Sequence, residues 1–266
     1  MREIRALIRV SWQMALSYRV SVVLSLVALL FSVVPIYYVA KALQPELAMH
    51  IANQGGQYFA FLLVGLIGLW FISAAVNLVP HIFSSGIANG TLEALLATRA
   101  SLPHLLAGLI GYGFIWTGAR SLLLLAAGIA LGIHIAWGSA LLSVLVLALL
   151  TLAYLSFGMM MAALVLAFRT TGPLPQAILV LSGLLGGVYY PTNIIPSWIQ
   201  QLSAAIPLTY GLRAIRQTLL DGRSLAYVSA DVVTLLGFVI LLLAVSLFAL
   251  AAALQYARRT GTLAQY

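Results

Sequence analysis

The residues able to do chemistry in this 266-residue chain are few and scattered. It has no cysteine, which removes disulfides, thiolate nucleophiles and cysteine-ligated metals. The four histidines, His50, His81, His104 and His134, fall in separate segments near the ends of apolar runs, and no His-Glu-x-x-His pair is present. The only lysine, Lys41, lies between Ala40 and Ala42, and no glycine-rich loop ends in Gly-Lys-Ser/Thr, so nucleotide phosphates are not cradled in that way. None of the five acids is expected inside a span, which argues against a carboxylate proton relay at mid-membrane. The chain is therefore expected not to be an enzyme and to bind no cofactor or metal of its own. Either it is passive or its energy comes from another subunit.

The elements around these residues are long and apolar. Hydrophobic residues make up 63% of the chain and charged ones 7%, against about 25% charged in soluble domains. Only a bilayer solvates so much uninterrupted apolar helix. The net charge of +8 suggests nucleic acid at first sight. The basic residues instead sit at the ends of apolar runs, as membrane orientation requires, and no nucleic-acid partner is expected. The expected fold is an all-α integral membrane protein with six transmembrane helices, at 20–40, 57–79, 104–133, 139–168, 174–189 and 232–256. The first of these is too long for the core of a signal peptide and is read as an uncleaved span.

Residues 1–19 are expected to form an amphipathic interfacial helix. Ile4, Leu7, Ile8 and Trp12 recur at helical spacing, with Arg2, Arg5 and Arg9 on other faces. A plain helix packed on a partner fits the same pattern. Six spans put both termini on one side, with Arg2, Arg5, Arg9, Arg19, Arg99, Arg169, Arg258 and Arg259; the other side holds Lys41, Arg213, Arg216 and Arg223. The basic excess places the termini in the cytoplasm of a multi-pass plasma-membrane protein.

Arg120 is the oddest residue. It falls about 24 Å into the third span, where a charge costs roughly 2.5–3.5 kcal/mol. It is expected to face a pathway or a polar cluster with residues such as Asn77, or to snorkel. The glycines at 108, 111, 113 and 118 are read as close-packing positions. Arg213 and Arg216, one turn apart, are expected on a solvated face.

Two connections stand out. Ser84 to Arg99 reads as a short cytoplasmic helix between spans 2 and 3. Asn89 to Thr91 can start it, Glu93 suits its first turn, and Leu92, Leu95 and Leu96 form one apolar face. Such a helix suits docking into a partner's groove, and equally it could cap the bundle. In the other connection, 191–227, glycines end a span and Pro191 breaks it. Helices then begin near Pro196 and at Pro207, the latter stopped by Gly222: an extracytoplasmic helical hairpin.

The pattern Gly90-Thr91-Leu92-Glu93-x-Leu95-Leu96-x-Thr98, and the run Pro191 to Pro196 followed by Pro207-Leu208-Thr209-Tyr210, resemble the permease subunit of ABC-2 type ABC transporters. The resemblance covers nearly the whole chain; Tyr190 departs from it, standing where the family often has phenylalanine. It implies that Gly90, Thr91, Leu92, Glu93, Leu95, Leu96 and Arg99 couple to separate ATP-binding cassette subunits, which carry the ATP and Mg. It also implies a second permease copy, either a homodimer or a similar chain. The pathway would lie near spans 2 and 5, with Tyr58, Phe59, Phe61, Arg120, Tyr189 and Tyr190 as candidate contacts, although an interfacial aromatic belt explains the aromatics equally well. The mainly apolar and aromatic candidates point to an amphipathic cargo such as a drug, lipid or lipid-linked glycan. A passive channel, a lipid-acting membrane enzyme and a non-transporting scaffold remain alternatives.

Overall fold

A computed structural model describes residues 19–88 and 102–260. The expected interfacial helix and the centre of the expected cytoplasmic helix, including Gly90, Thr91, Leu92, Glu93, Leu95, Leu96 and Arg99, lie outside the described residues. Those described form eight α-helices and three short 3-10 turns: α1 (Arg19–Leu47), α2 (Tyr58–Ala88), α3 (Leu102–Ala130), α4 (Ala140–Phe168), α5 (Leu174–Leu185), α6 (Ser197–Ala204), α7 (Pro207–Leu219) and α8 (Leu225–Thr260). This is an all-α membrane protein. Helices α1, α2, α3, α4 and α8 are each long and apolar enough to cross a bilayer.

The bundle has two ends. Arg19, Ala88, Leu102, Phe168 and Thr260 mark one, the terminal end. The connections 48–57, 131–139 and 220–224 mark the other, the hairpin end. Helix α2 runs unbroken through Pro80 to Ala88, nine residues beyond the expected limit of span 2; the proline forfeits a backbone bond and crowds the carbonyl four residues earlier, a cost that its packing among neighbouring helices offsets. Helix α8 starts at Leu225 rather than near 232, and so contains Asp231. The expectation that no acid lies within a span is thereby corrected. Hydropathy marks where apolar residues begin, whereas the helix begins where backbone bonds can form.

The expected fifth span is helical for only 12 residues, Leu174–Leu185, about 18 Å of rise against a hydrocarbon core of about 30 Å. The chain still reaches the hairpin end, because the Tyr58 hydroxyl donates to the Tyr189 carbonyl at 2.7 Å. The last part of this crossing is thus non-helical, with Gly187 at φ +77°.

Helix α7 does not lie on the surface. Leu208 and Leu212 are fully buried with Ile72, Leu150, Tyr154 and Leu235 in one core. Small residues permit the insertion: the Leu212 side chain occupies the space a Cβ on Gly68 would need, and Leu150 does the same at Gly211. A second core gathers Leu29, Val33, Ala40, Phe61 and Leu124 at the hairpin end. A third holds Phe83, Ala162, Val165 and Ala253 towards the terminal end. The large exposed apolar side chains, such as Phe31, Leu141 and Phe248, suit a bilayer, where exposure carries no hydrophobic penalty.

Candidate functional site

A break in a membrane helix frees backbone groups that lipid cannot satisfy, so the protein must supply partners. The Gly186–Tyr190 break takes its donors from Arg216 on α7. The guanidinium is 2% exposed. Its Nη1 donates to the Gly187 carbonyl at 2.9 Å and Nη2 to that of Val188 at 3.3 Å. Nε and Nη2 both donate to the Phe61 carbonyl near the start of α2, at 3.2 and 3.0 Å, and Nη1 also reaches Gln54 Oε1 at 3.4 Å. The fixed fork of five N–H donors suits arginine to this task, and lysine less so. Arg216 was expected on a solvated face; it is buried because α7 inserts between the spans.

Arg213, one turn earlier, is not free in solvent either. Its Nε donates to Asp231 Oδ2 at 2.8 Å, and Nη2 pairs with Oδ1, joining α7 to α8. At the top of α7 the Ser143 and Thr218 hydroxyls share a 2.8 Å bond, and Ser139 Oγ donates to the Thr218 carbonyl at 2.7 Å. The Gly55 N–H donates to Asp221 Oδ1 at 2.9 Å, and desolvation pushes that carboxyl above its ordinary range. Deeper in, the Tyr154 hydroxyl donates to Ser182 Oγ at 2.8 Å, tying α5 to the middle of α4. Helix α7 is thus held to α2, α4, α8 and the broken span at once.

Two of the cavities beside α2 share Trp70 and Ser73 in their linings. The larger, about 840 Å³, lies between α1, α2 and α3 and includes Asn77, Tyr112, Trp116 and Arg120. The smaller, about 320 Å³, lies between α2 and α5 and includes Gln176, Val180 and Tyr189. The Arg120 guanidinium stands 5.0 Å from the centroid of the Trp116 ring. Contacts between glycines and their neighbours give its depth. Gly113 meets Leu78 and Gly128 meets Leu63 across antiparallel α3 and α2, which sets Arg120 opposite Phe71; Gly158 meets the Ala75 carbonyl across parallel α2 and α4, which carries that level to Tyr154, midway along α4.

The residues singled out in the sequence separate into two groups. Arg120 and Tyr189 face cavities, and Arg120 shares its cavity with Asn77. Tyr58, Phe59 and Phe61 are buried within the subunit: Tyr58 holds the broken span, Phe59 packs edge-on to Tyr37 and lines a further cavity of about 450 Å³ with Lys41 and Gln44, and Phe61 lies under Arg216. Tyr190 is half-buried at the break. Sequence reasoning missed Arg216 and the Arg213–Asp231 pair. A usable signal existed, since Gly186-Gly187 followed by Pro191 breaks an apolar run and so creates carbonyls in need of donors. Among the described residues, no three His, Cys, Asp or Glu side chains cluster as a metal site would require.

Residues 1–220 match the ABC-2 type transporter family. Curated relatives include Nodulation protein J from Sinorhizobium fredii, 28% identical over 63% of this chain and 64% of that protein. The Rhizobium meliloti protein of the same name is 25% identical over 67% of this chain and 68% of its own length. The Rhizobium leguminosarum protein is 27% identical over 62% of this chain and 64% of its own length. The chain thus spans just under two thirds of the length of the Sinorhizobium fredii relative.

Proposed function

The chain belongs to the ABC-2 type transporter family, and from that premise we propose that it is the membrane permease subunit of an ATP-powered exporter, working beside a second permease copy. The match over residues 1–220 carries this reading. Membership makes the chain a membrane transport subunit rather than a catalyst, and it implies ATP-binding cassette partners. Five apolar spans and the broken sixth crossing agree with a multi-pass role. The bilayer is the plasma membrane and the termini are cytoplasmic, so the terminal end of the bundle faces the cytoplasm, following the basic excess there.

In this scheme Gly90, Thr91, Leu92, Glu93, Leu95, Leu96 and Arg99 form the contact with the ATP-binding subunit, which holds ATP and Mg. Closure of two such subunits presses on that segment and rocks the membrane halves. Helix α2 leads from this segment straight to the Arg216 clamp, so a push at one end reaches the broken span at the other. Cargo passes beside α2 and α5, where Trp70, Ser73 and Tyr189 offer aromatic and polar contacts suited to an amphipathic drug, lipid or lipid-linked glycan.

The test is co-purification. The tagged chain is extracted from native membranes in mild detergent, alongside Glu93→Arg. The expected result is an ATP-binding protein retained by the native chain and lost or reduced with the variant. A folded, dimeric chain that retains no such partner would replace the exporter with a passive channel or a scaffold.

A further inference from the structure

The cavity between α1, α2 and α3 holds the charge of Arg120. Nε of Arg120 is buried and has no hydrogen-bond partner, and none of the described residues lining the cavity is acidic. Three neighbouring polar groups bond to their own helices. Ser25 Oγ donates to the Val22 carbonyl at 2.8 Å, Asn77 Nδ2 to that of Ser73 at 2.9 Å, and Thr117 Oγ1 to that of Gly113 at 2.9 Å. Among the described lining residues Arg120 supplies the fixed positive charge, able to donate and unable to accept. The central carbon of its guanidinium stands 5.0 Å from the centroid of the Trp116 ring.

The shape indicates where a balancing group comes from. Helix α1 packs against the bundle through Leu29, Val33 and Ala40, whereas Val20, Val23, Leu24 and Val27 are exposed. In the half nearer the terminal end, Ser25, Ala28 and Leu29 form the α1 wall of the cavity. Helical side chains lean towards their own N-terminus, which for α3 is the terminal end. Arg120 therefore leans the same way, and Trp116, Tyr112, Asn77 and His81 continue the polar face in that direction. A cation at mid-bilayer is costly on its own, and a wedge with apolar walls leading to it from a membrane surface admits an amphiphile head first. At about 840 Å³ the volume lies within the usual range for small-molecule sites.

We propose that this cavity holds the anionic headgroup of a bilayer lipid, with its phosphate on the Arg120 guanidinium, its body between the aromatic walls and its chains along α1. A guanidinium binds a phosphate through two parallel hydrogen bonds, and the low dielectric of the site strengthens them. The inference goes beyond the permease reading and is tested on the chain alone, so its failure leaves the ATPase partnership untouched.

The experiment titrates delipidated full-length chain in mild detergent with dioleoylphosphatidylglycerol or dioleoylphosphatidylcholine at 0.5 M NaCl, an arbitrary high-salt choice that screens exposed arginines more than buried ones. Thermal midpoint and bound lipid, by native mass spectrometry, are read together. The native chain is expected to retain phosphatidylglycerol at least tenfold more tightly than phosphatidylcholine and to gain stability from it. Arg120→Gln loses that preference, while without lipid it is no less stable than the native chain, since an unpaired charge has gone. Arg120→Lys keeps part of the preference. Ala74→Phe fills the cavity while leaving the charge in place, and it also abolishes the preference. Selectivity unchanged in both Arg120→Gln and Ala74→Phe overturns the site. Stabilisation by inorganic phosphate equal to that by phosphatidylglycerol overturns the lipid and leaves a free-anion site.

Discussion

The guanidinium of Arg216 lies 3.4 Å from the centroid of the Phe61 ring and donates twice to that residue's own carbonyl. One side chain therefore holds the start of α2, while its remaining donors hold the end of the broken span. Replacing Arg216 with Met keeps much of the volume but strands these buried acceptors. We expect a loss of about 2–4 kcal/mol, from unmade hydrogen bonds to a charged group. It is read as a lower thermal midpoint of the purified chain. Arg216→Lys, with a point charge in place of a fork, recovers only part. An unchanged midpoint in Arg216→Met would remove the clamp as a stabilising feature.

The same region tolerates no added methyl groups. A Cβ on Gly65 would stand 2.6 Å from the Val188 carbonyl oxygen and 2.8 Å from Arg216 Nη2. Gly65→Val should cost about 1–3 kcal/mol, because backbone and a fixed guanidinium cannot move aside as a flexible chain end does. Gly118 is the control: a Cβ there meets nothing within 4 Å, so Gly118→Ala should be neutral or gain up to about 1 kcal/mol from helix propensity. Paired unfolding curves compare the two.

Arg213 and Asp231 join α7 to α8 with the arginine side chain 41% exposed and the carboxylate 11% exposed. Partial solvation limits the strength of the pair. A double-mutant cycle with Arg213→Gln and Asp231→Asn should give a coupling of roughly 0.5–1.5 kcal/mol, above the usual surface value because the geometry is two-pronged. The exchanged pair Arg213→Asp with Asp231→Arg should be more stable than either single charge reversal. Additive effects throughout would mean that the pair does not tie the two helices together.

Tyr154 and Ser182 make a buried side-chain hydrogen bond between α4 and the short α5. Tyr154→Phe leaves the ring in its core and removes the bond. The loss should be near 0.6 kcal/mol, the average for interhelical hydrogen bonds in membranes. Ser182→Ala should cost about the same, and the double variant little more than either alone. Well-separated, additive losses would show that the two hydroxyls act independently.

Much of this architecture was legible in the amino acids. Long apolar runs with few charges point to a membrane-spanning, all-helical chain, because lipid admits only helices and closed barrels and unbroken runs of about 20 apolar residues suit helices rather than alternating barrel strands. The order of spans and turns follows from Arg169 to Pro173, from the Gly186-Gly187 break and from Pro191, Pro196 and Pro207. For Arg120 the sequence left a pathway, a polar cluster with residues such as Asn77 and snorkelling open, and the fold places Arg120 and Asn77 in the lining of one cavity.

What the sequence left open is decided by contacts distant along the chain. Arg213 and Arg216 are alike in type and one turn apart. Yet one reaches Asp231 and the other fills a nest of carbonyls from residues 61, 187 and 188. Composition and period describe a helix's own faces but not the depth at which its neighbours receive it. Gly68 and Gly211 let α7 sink between α2 and α4. That depth, more than the residue types themselves, turned an apparently solvated arginine into the buried tie of a broken span.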